Sequence, residues 1–156
     1  RAIPQLVLIV LAFFALPYFG LVLEPITATV LALAIVLSAF AEEIFWAGIN
    51  AVPKGQWEAG RSTGLSFTKT LAYIILPQVV RISIPPLTNR AIGISKGTTL
   101  GSVVAVPELL NVTSSIQSNV ANPTALTVGA LLFLVLFLPF VRFTRWLERA
   151  YAHPRS

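Results

Sequence analysis

One polar segment interrupts an otherwise apolar chain, and it reads Pro53-Lys54-Gly55-Gln56-Trp57-Glu58-Ala59-Gly60-Arg61-Ser62-Thr63-Gly64-Leu65-Ser66-Phe67. Its apolar residues Trp57, Leu65 and Phe67 are spaced to form one side of a short helix. Pro53 suits the start of that helix, because proline fixes the backbone angle that a first turn needs. Gly60 and Gly64 allow a bend or a close approach between backbones. The segment therefore predicts a short amphipathic helix.

Two interpretations of this helix stay open on the residues alone. A helix with Glu58 among small residues suits docking into the groove of a partner protein. A helix with Lys54 and Arg61 beside apolar side chains equally suits resting on the surface of a bilayer.

Long apolar stretches flank the polar segment on both sides. A helix that crosses a membrane needs about 20 mostly apolar residues. Four stretches are predicted to span: residues 3–23, 26–41 with an extension toward Trp46, 71–87 and 125–141. The polar segment then belongs to a loop over about residues 50–70, and a mixed stretch over about residues 97–124 forms a second loop.

The composition is that of a membrane protein. The 156 residues are 56% hydrophobic and 11% charged, whereas roughly a quarter of the residues in soluble domains are charged. A net charge of +5 suggests nucleic-acid binding in a soluble protein, but here basic residues flanking membrane helices explain it better. We therefore expect a lipid bilayer as a partner, and no nucleic acid.

The chain lacks the residues of common catalytic and metal sites. It contains no Cys and no Asp, and its one histidine, His153, lies near the C-terminus. These absences exclude a thiolate nucleophile, an aspartyl pair and a cysteine-based zinc site. Residues 93–99 carry a lysine before a glycine and so lack the order of a phosphate-binding P-loop. We expect no catalytic residue, metal or nucleotide cofactor in this chain.

The basic residues are segregated along the predicted topology. One side carries the N-terminus, residues 50–70 and the C-terminal tail, and the other side has Arg90 and Lys96. Because loops rich in Lys and Arg stay in the cytoplasm, residues 50–70 and the C-terminus are predicted to be cytoplasmic. The basic residues on that side are Arg1, Lys54, Arg61, Lys69, Arg142, Arg145, Arg149 and Arg155.

The first residues predict that something precedes this sequence. Arg1 is followed almost at once by the apolar residues 6–11, and the sequence contains no Met. The apolar run is too long for a signal peptide and reaches a second apolar segment without a convincing cleavage site. We expect the later part of a longer membrane protein.

The polar segment and the residues after it carry a composite motif. Glu58-Ala59-Gly60 is followed by three residues and Gly64, then by nine residues and Ile74, and then by one residue and Leu76-Pro77. This spacing resembles the EAA loop of bacterial ABC-importer permeases, which has Glu-Ala-Ala, a Gly four residues later, and Ile-x-Leu-Pro further on. Gly60 is a departure, since it replaces the second Ala. It keeps a small residue but weakens a helix by about 1 kcal/mol relative to Ala.

Three further segments resemble the permeases for polar amino acids. They are residues 51–59, Ser95-Lys96-Gly97-Thr98-Thr99-Leu100, in which Thr99 replaces the usual Ser, and Val106-Pro107-Glu108-Leu109. Members of this family usually carry about five spans, with one before the segment that resembles residues 1–7. The resemblance therefore also implies that an upstream span is absent here.

The resemblance implies an all-α membrane protein with a type I ABC importer fold. Residues 1–156 form a single permease transmembrane domain of about four spans, without the usual first span, in the bacterial inner membrane. Two permease subunits, identical or sister, enclose the pathway. Cytoplasmic ATPase subunits, which hold ATP and Mg²⁺, dock on the EAA loops, and an extracytoplasmic amino-acid-binding protein delivers the substrate. The implied function is ATP-driven import of polar L-amino acids.

The resemblance also implies residues that couple the permease to the ATPase. Glu58 meets polar or basic groups in the ATPase groove, Trp57 and Leu65 fill apolar contacts, and Gly64 permits close approach. The full set is Trp57, Glu58, Ala59, Gly60, Gly64, Leu65, Ile74, Leu76 and Pro77.

Residues further along the chain are candidates for the pathway. Lys96 can hold the carboxylate of an amino acid with help from Thr98 or Thr99, or it can reach the outer interface as a snorkelling residue. Asn89 contacts substrate or bonds between helices. Glu108 faces the binding protein or caps a local helix. An ion-coupled secondary transporter or a channel without an ATPase is the alternative function.

Overall fold

The computed structural model describes residues 3–151, and these residues are almost wholly helical. Short π-helical or 3₁₀ segments, Leu11–Ala15, Leu16–Phe19, Leu71–Ile75 and Gly97–Val104, extend three of the helices. The α-helices are α1 (Gln5–Val10), α2 (Pro25–Ala51), α3 (Lys54–Ser62), α4 (Phe67–Thr70), α5 (Leu76–Lys96), α6 (Leu109–Val120) and α7 (Thr124–Tyr151).

Three helices within residues 3–151 are long and apolar enough to cross a membrane. They are the 27-residue α2, a continuous 38-residue helix Phe67–Val104, hereafter the long helix, and the 28-residue α7. The first predicted span, residues 3–23, is a shorter apolar helix, Gln5–Phe19. It ends there because Gly20 adopts a φ of +81°, a left-handed conformation that breaks a helix.

The predicted third span, residues 71–87, is too short at both ends. The long helix begins at Phe67, where the Ser66 side chain accepts a hydrogen bond from the Lys69 N–H at 3.4 Å. It continues through Pro85 and Pro86 to Val104. Just after the prolines, the Thr88 hydroxyl donates to the carbonyls of Ile84 and Pro85, at 3.0 and 2.8 Å.

The predicted loop over residues 97–124 is largely helical. Its first part, Gly97–Val104, continues the long helix as a 3₁₀ segment, and α6 occupies Leu109–Val120. Serine and threonine suggested a loop, but their hydroxyls bond to carbonyls one turn back. Thr113, for example, donates to Leu109 at 2.8 Å. The polar composition is therefore accommodated within helices.

The chain divides into two compact units, and the first contains residues 1–38 and 91–142. Its helices meet at small residues. A Cβ added at Gly101 lies 3.2 Å from the Thr29 hydroxyl, and one at Gly129 lies 2.9 Å from the Thr113 methyl group. Glycine therefore allows these helices to pack closely.

The second unit contains residues 39–90 and 143–156, of which the structure describes those up to Tyr151. Its core is a cluster of Val52, Ile75 and Val79, and Trp57 and Ile74 pack against it. The polar segment is therefore packed, through this core, against the beginning of the long helix.

Candidate functional site

The helix α3 occupies the polar segment and presents two different faces. Pro53 immediately precedes it, as the sequence predicts. Glu58 and Ala59 are exposed, whereas Gly60 is buried and Trp57 is half-buried. One face of α3 therefore packs against its own subunit, and the other face is exposed.

Gly60 lies against the long helix, close to Thr70 and Ile74. A Cβ added at Gly60 lies 2.6 Å from Thr70 Cγ2 and 2.8 Å from Ile74 Cδ1. These distances are too short for a real side chain without movement of the neighbours. The glycine that replaces the second Ala of the EAA motif thus allows α3 to approach more closely than alanine permits.

A stacked aromatic pair gives a second contact between α3 and the long helix. The rings of Trp57 and Phe67 lie 5.2 Å apart with an interplanar angle of 21°. Phe67 begins the long helix and Leu65 lies in the turn before it. The prediction that Trp57, Leu65 and Phe67 share one face of a short helix is therefore wrong.

Trp57 packs against residues of its own subunit. Its ring packs against Phe67 and the Val52, Ile75 and Val79 cluster of its own subunit. A half-buried ring in this position holds α3 in place, and its contact with the ATPase stays a prediction. Leu65, also half-buried, sits in the turn that ends α3.

The turn after α3 is a Schellman motif that depends on Gly64. The Leu65 N–H donates to the Gly60 carbonyl at 3.3 Å, and the Gly64 N–H donates to the Arg61 carbonyl at 3.0 Å. Gly64 has a φ of +83°, and a Cβ added there meets no atom within 4 Å. Within this subunit, a glycine is needed at position 64 for its left-handed backbone conformation. Of the bend and the close approach that the sequence suggested for Gly64, the structure shows the bend.

We expect Gly64→Val to reduce ATP-driven uptake by about tenfold, because a left-handed conformation costs an ordinary residue roughly 1–2 kcal/mol and a β-branched one more. Gly64→Asn adds a side chain of similar size but tolerates this conformation, so its uptake is expected to stay near wild type. Uptake into proteoliposomes by both variants, assembled with the ATPase, measures the difference. Equal losses would instead indicate that close approach of a partner is what Gly64 permits.

The residues Ile74, Leu76 and Pro77 lie where the long helix widens. The Leu76 N–H donates to the Leu71 carbonyl, five residues back, as in a π-helix. Pro77 has no N–H to donate, and π-helical turns accommodate such irregularities. Ile74 points toward Gly60, whereas Leu76 and Pro77 are exposed. The Ile-x-Leu-Pro part of the motif therefore shapes the helix on which α3 rests.

Thr70 is a residue of this site that the sequence interpretation missed. It is fully buried, with its methyl group against Gly60, and its hydroxyl has no hydrogen-bond partner in the described structure. A threonine ten positions after a glycine carries no sequence signal, because the turn between them sets their contact.

Lys96 lies beside the most apolar part of α7. In the first unit it lines an open groove of about 640 Å³ together with Thr99, Phe133, Phe137 and Val141. Phe133 and Phe137 lie within the predicted span 125–141, and Val141 is its last residue. Substrate binding by Lys96 and snorkelling at the outer interface both stay predictions.

The other pathway candidates occupy different surroundings. The Thr98 and Thr99 hydroxyls donate to the carbonyls of Ser95 and Lys96, at 2.8 and 3.0 Å, which leaves oxygen lone pairs for a ligand. Asn89 is exposed and belongs to the second unit, whereas Lys96, Thr98 and Thr99 belong to the first.

Glu108 is the N-cap of α6. Its carboxylate oxygens accept hydrogen bonds from the N–H groups of Leu110 and Asn111, at 2.8 and 2.6 Å. Such a cap satisfies two donors that the helix leaves open. The local alternative named for Glu108 is thus present, and contact with a binding protein stays a prediction.

Comparison with known proteins assigns the chain to a family. The model of the binding-protein-dependent transport system inner membrane component matches residues 1–153. The chain belongs to this family. The packed helix α3 and its EAA-type motif therefore belong to a transport permease. The predicted all-α membrane fold is confirmed.

Solved and curated relatives of this permease carry amino-acid transport names. It is 34% identical to a chain of a crystal structure described as an amino acid ABC transporter with histidines, with a TM-score of 0.87 over 96% of this chain and 71% of that one. The probable glutamine ABC transporter permease protein GlnP of Bacillus subtilis is 44% identical over 71% of this chain and 51% of GlnP. The probable amino-acid ABC transporter permease protein YckA of the same species is 35% identical over 98% of this chain and 68% of YckA.

The permease chain is shorter than these relatives. It spans about half the length of GlnP and about two thirds of that of YckA. The helices, the motif and the contacts described above therefore concern the shared part.

Proposed function

We propose that the protein is the permease subunit of an ATP-driven importer of polar L-amino acids, and that α3 is the helix on which an ATPase subunit docks. The amino-acid names of its relatives support this substrate class. Family membership supports a transport role for the chain and gives no support to the ion-coupled alternative.

The asymmetry of α3 carries this proposal. Its buried face meets the long helix through Gly60, while Glu58 and Ala59 on its other face are exposed. Movement of the exposed face displaces the long helix as well, because Gly60 and Thr70 are packed too closely for α3 to move independently. Rigid movement of packed helices is an established route for switching a transporter between states.

The remaining partners follow from the same proposal. A second permease subunit, identical or sister, completes the pathway, and an extracytoplasmic binding protein delivers the amino acid. ATP and Mg²⁺ reside in the ATPase, and α3 and the C-terminus face the cytoplasm of a bacterium. In this scheme Lys96, Thr98 and Thr99 line one part of the pathway, Asn89 lines another, and Glu108 contacts the binding protein.

Purification with the ATPase and reconstitution into proteoliposomes test this function. We expect the complex to take up a polar L-amino acid only with hydrolysable ATP and the binding protein, and to lose uptake with a non-hydrolysable analogue. Uptake driven by a proton or sodium gradient without an ATPase would overturn the proposal in favour of the ion-coupled alternative.

A further inference from the structure

The second unit contains a basic residue, Arg90, that is neither a proposed coupling residue nor a proposed pathway residue. The guanidinium carbon of Arg90, on α5, lies 3.6 Å from the centroid of the Phe40 ring, on α2. Phe40 lies near the middle of α2 (Pro25–Ala51), one of the helices able to cross a membrane. The contact therefore places the charge of Arg90 against a helix that is long and apolar enough to cross a membrane.

A charge within a membrane span needs more than an aromatic ring. Placing arginine near the centre of a membrane helix costs about 3 kcal/mol or more, whereas a cation–π contact returns roughly 0.5–2 kcal/mol. Arg90 is exposed within this chain. Charged residues in such positions face a bundle interior or a water-filled cavity and have polar partners there.

The contact with Phe40 leaves the hydrogen-bonding groups of Arg90 available. At 3.6 Å the guanidinium carbon is in van der Waals contact with the ring, which requires the planar group to lie nearly flat on it. The N–H groups then point outward in the plane of the guanidinium. That arrangement suits a carboxylate, which binds two N–H groups side by side without disturbing the stacked face.

We propose that Arg90, held flat on Phe40, binds the carboxylate of the amino acid as it passes through the permease. The inference rests on the proposed import function and adds to it a binding residue and a supporting ring. Phe40 is a positioning residue here, because it orients the guanidinium and leaves recognition to the N–H groups.

Equilibrium binding to the purified full permease–ATPase complex, without the binding protein, tests this inference. The probes are L-glutamine, L-histidine and L-arginine, each compared with its decarboxylated amine: 4-aminobutanamide, histamine and agmatine. We expect the wild-type complex to prefer the amino acid over its amine. Arg90→Gln should weaken amino-acid binding by about tenfold or more, because a hydrogen bond to a charged group is lost, and leave amine binding unchanged.

Two further variants separate charge from geometry. Arg90→Lys keeps the charge without the planar group, and Phe40→Leu keeps the arginine without its platform. Each is expected to lose part of the preference for the carboxylate. Arg142→Gln and Phe45→Leu are matched controls, since both residues are exposed and lie outside the proposed site, and they should bind like wild type.

The outcomes distinguish the inference from the function on which it rests. If the wild-type complex imports amino acids but Arg90→Gln keeps the preference for the carboxylate, the inference is wrong and the proposed function stands. If Arg90→Gln weakens binding of the amino acid and of its amine equally and lowers thermal stability, the contact between Arg90 and Phe40 is structural and the inference is wrong. If Arg90→Gln fails to assemble, full preference in Arg90→Lys and Phe40→Leu overturns the inference. A wild-type complex with no ATP-driven uptake overturns both.

Discussion

Replacing Gly60 by leucine is expected to abolish ATP-driven uptake while leaving the subunit in the membrane. The first added carbon already lies 2.6 Å from the Thr70 methyl group, and leucine adds three more carbons. Overpacking of this kind costs about 1–3 kcal/mol, and here α3 can relieve it only by leaving the long helix. Uptake by the reconstituted complex measures the loss, and membrane content of the permease provides the control for expression.

Smaller changes at the same contact test its geometry more sharply. Gly60→Ala gains about 1 kcal/mol of helix propensity, so a loss of uptake in this variant has to come from the contact. Thr70→Ser removes the methyl group that alanine would meet at 2.6 Å and leaves the flexible end of Ile74 at 2.8 Å. We expect Gly60→Ala alone to lower uptake severalfold and the double variant Gly60→Ala, Thr70→Ser to recover most of it. Additive losses in the double variant would contradict the proposed contact.

The contrast between Gly60 and Gly64 shows how far the sequence alone could lead. Spacing identified both glycines as important, because a small residue and a turn recur at these positions of the EAA-type motif. It could not separate a glycine required by a neighbouring side chain from one required by its own φ angle. That difference depends on Thr70 and Ile74, which reach Gly60 only after the chain has turned.

The helix boundaries show a similar limit. Apolar composition located the spanning helices, but hydropathy does not record whether a polar or proline-containing stretch continues a helix. The Thr88 hydroxyl bonds within the long helix just after Pro85 and Pro86, and Glu108 begins α6 within the expected loop. Both are local hydrogen bonds between a side chain and the backbone. Whether such a bond forms depends on the backbone conformation, which the sequence alone does not give.

Trp57 and Arg90 illustrate why surface roles are the hardest to predict. An aromatic residue in a polar segment suggests a contact for a partner, yet Phe67 and the core of the second unit take up much of its ring. Arg90 counts in the sequence among the basic residues of the outer side, and the structure gives it an aromatic partner near the middle of α2. In both cases the deciding neighbour lies on a different helix.

Reversing the charge of Glu58 is the second change for which a near-complete loss of uptake is expected. Glu58 is exposed on α3 and lies outside the Val52, Ile75 and Val79 cluster, so Glu58→Lys should leave the fold intact. If basic or polar groups of the ATPase face this carboxylate, the new charge weakens docking by about 2 kcal/mol or more, a factor of roughly 30. Co-purification of the ATPase and ATP hydrolysis stimulated by the binding protein should fall together.

The matched control places the same charge elsewhere on α3. Gln56 is also exposed, and residues two positions apart on a helix face different directions. Gln56→Lys is therefore expected to retain most of the uptake that Glu58→Lys loses, and the binding protein should still bind its amino acid with either variant. Normal uptake by Glu58→Lys would show that the ATPase does not read this face of α3. Equal losses in the two variants would point to a general effect of positive charge near the membrane surface, since such charge also strengthens contact with anionic lipids.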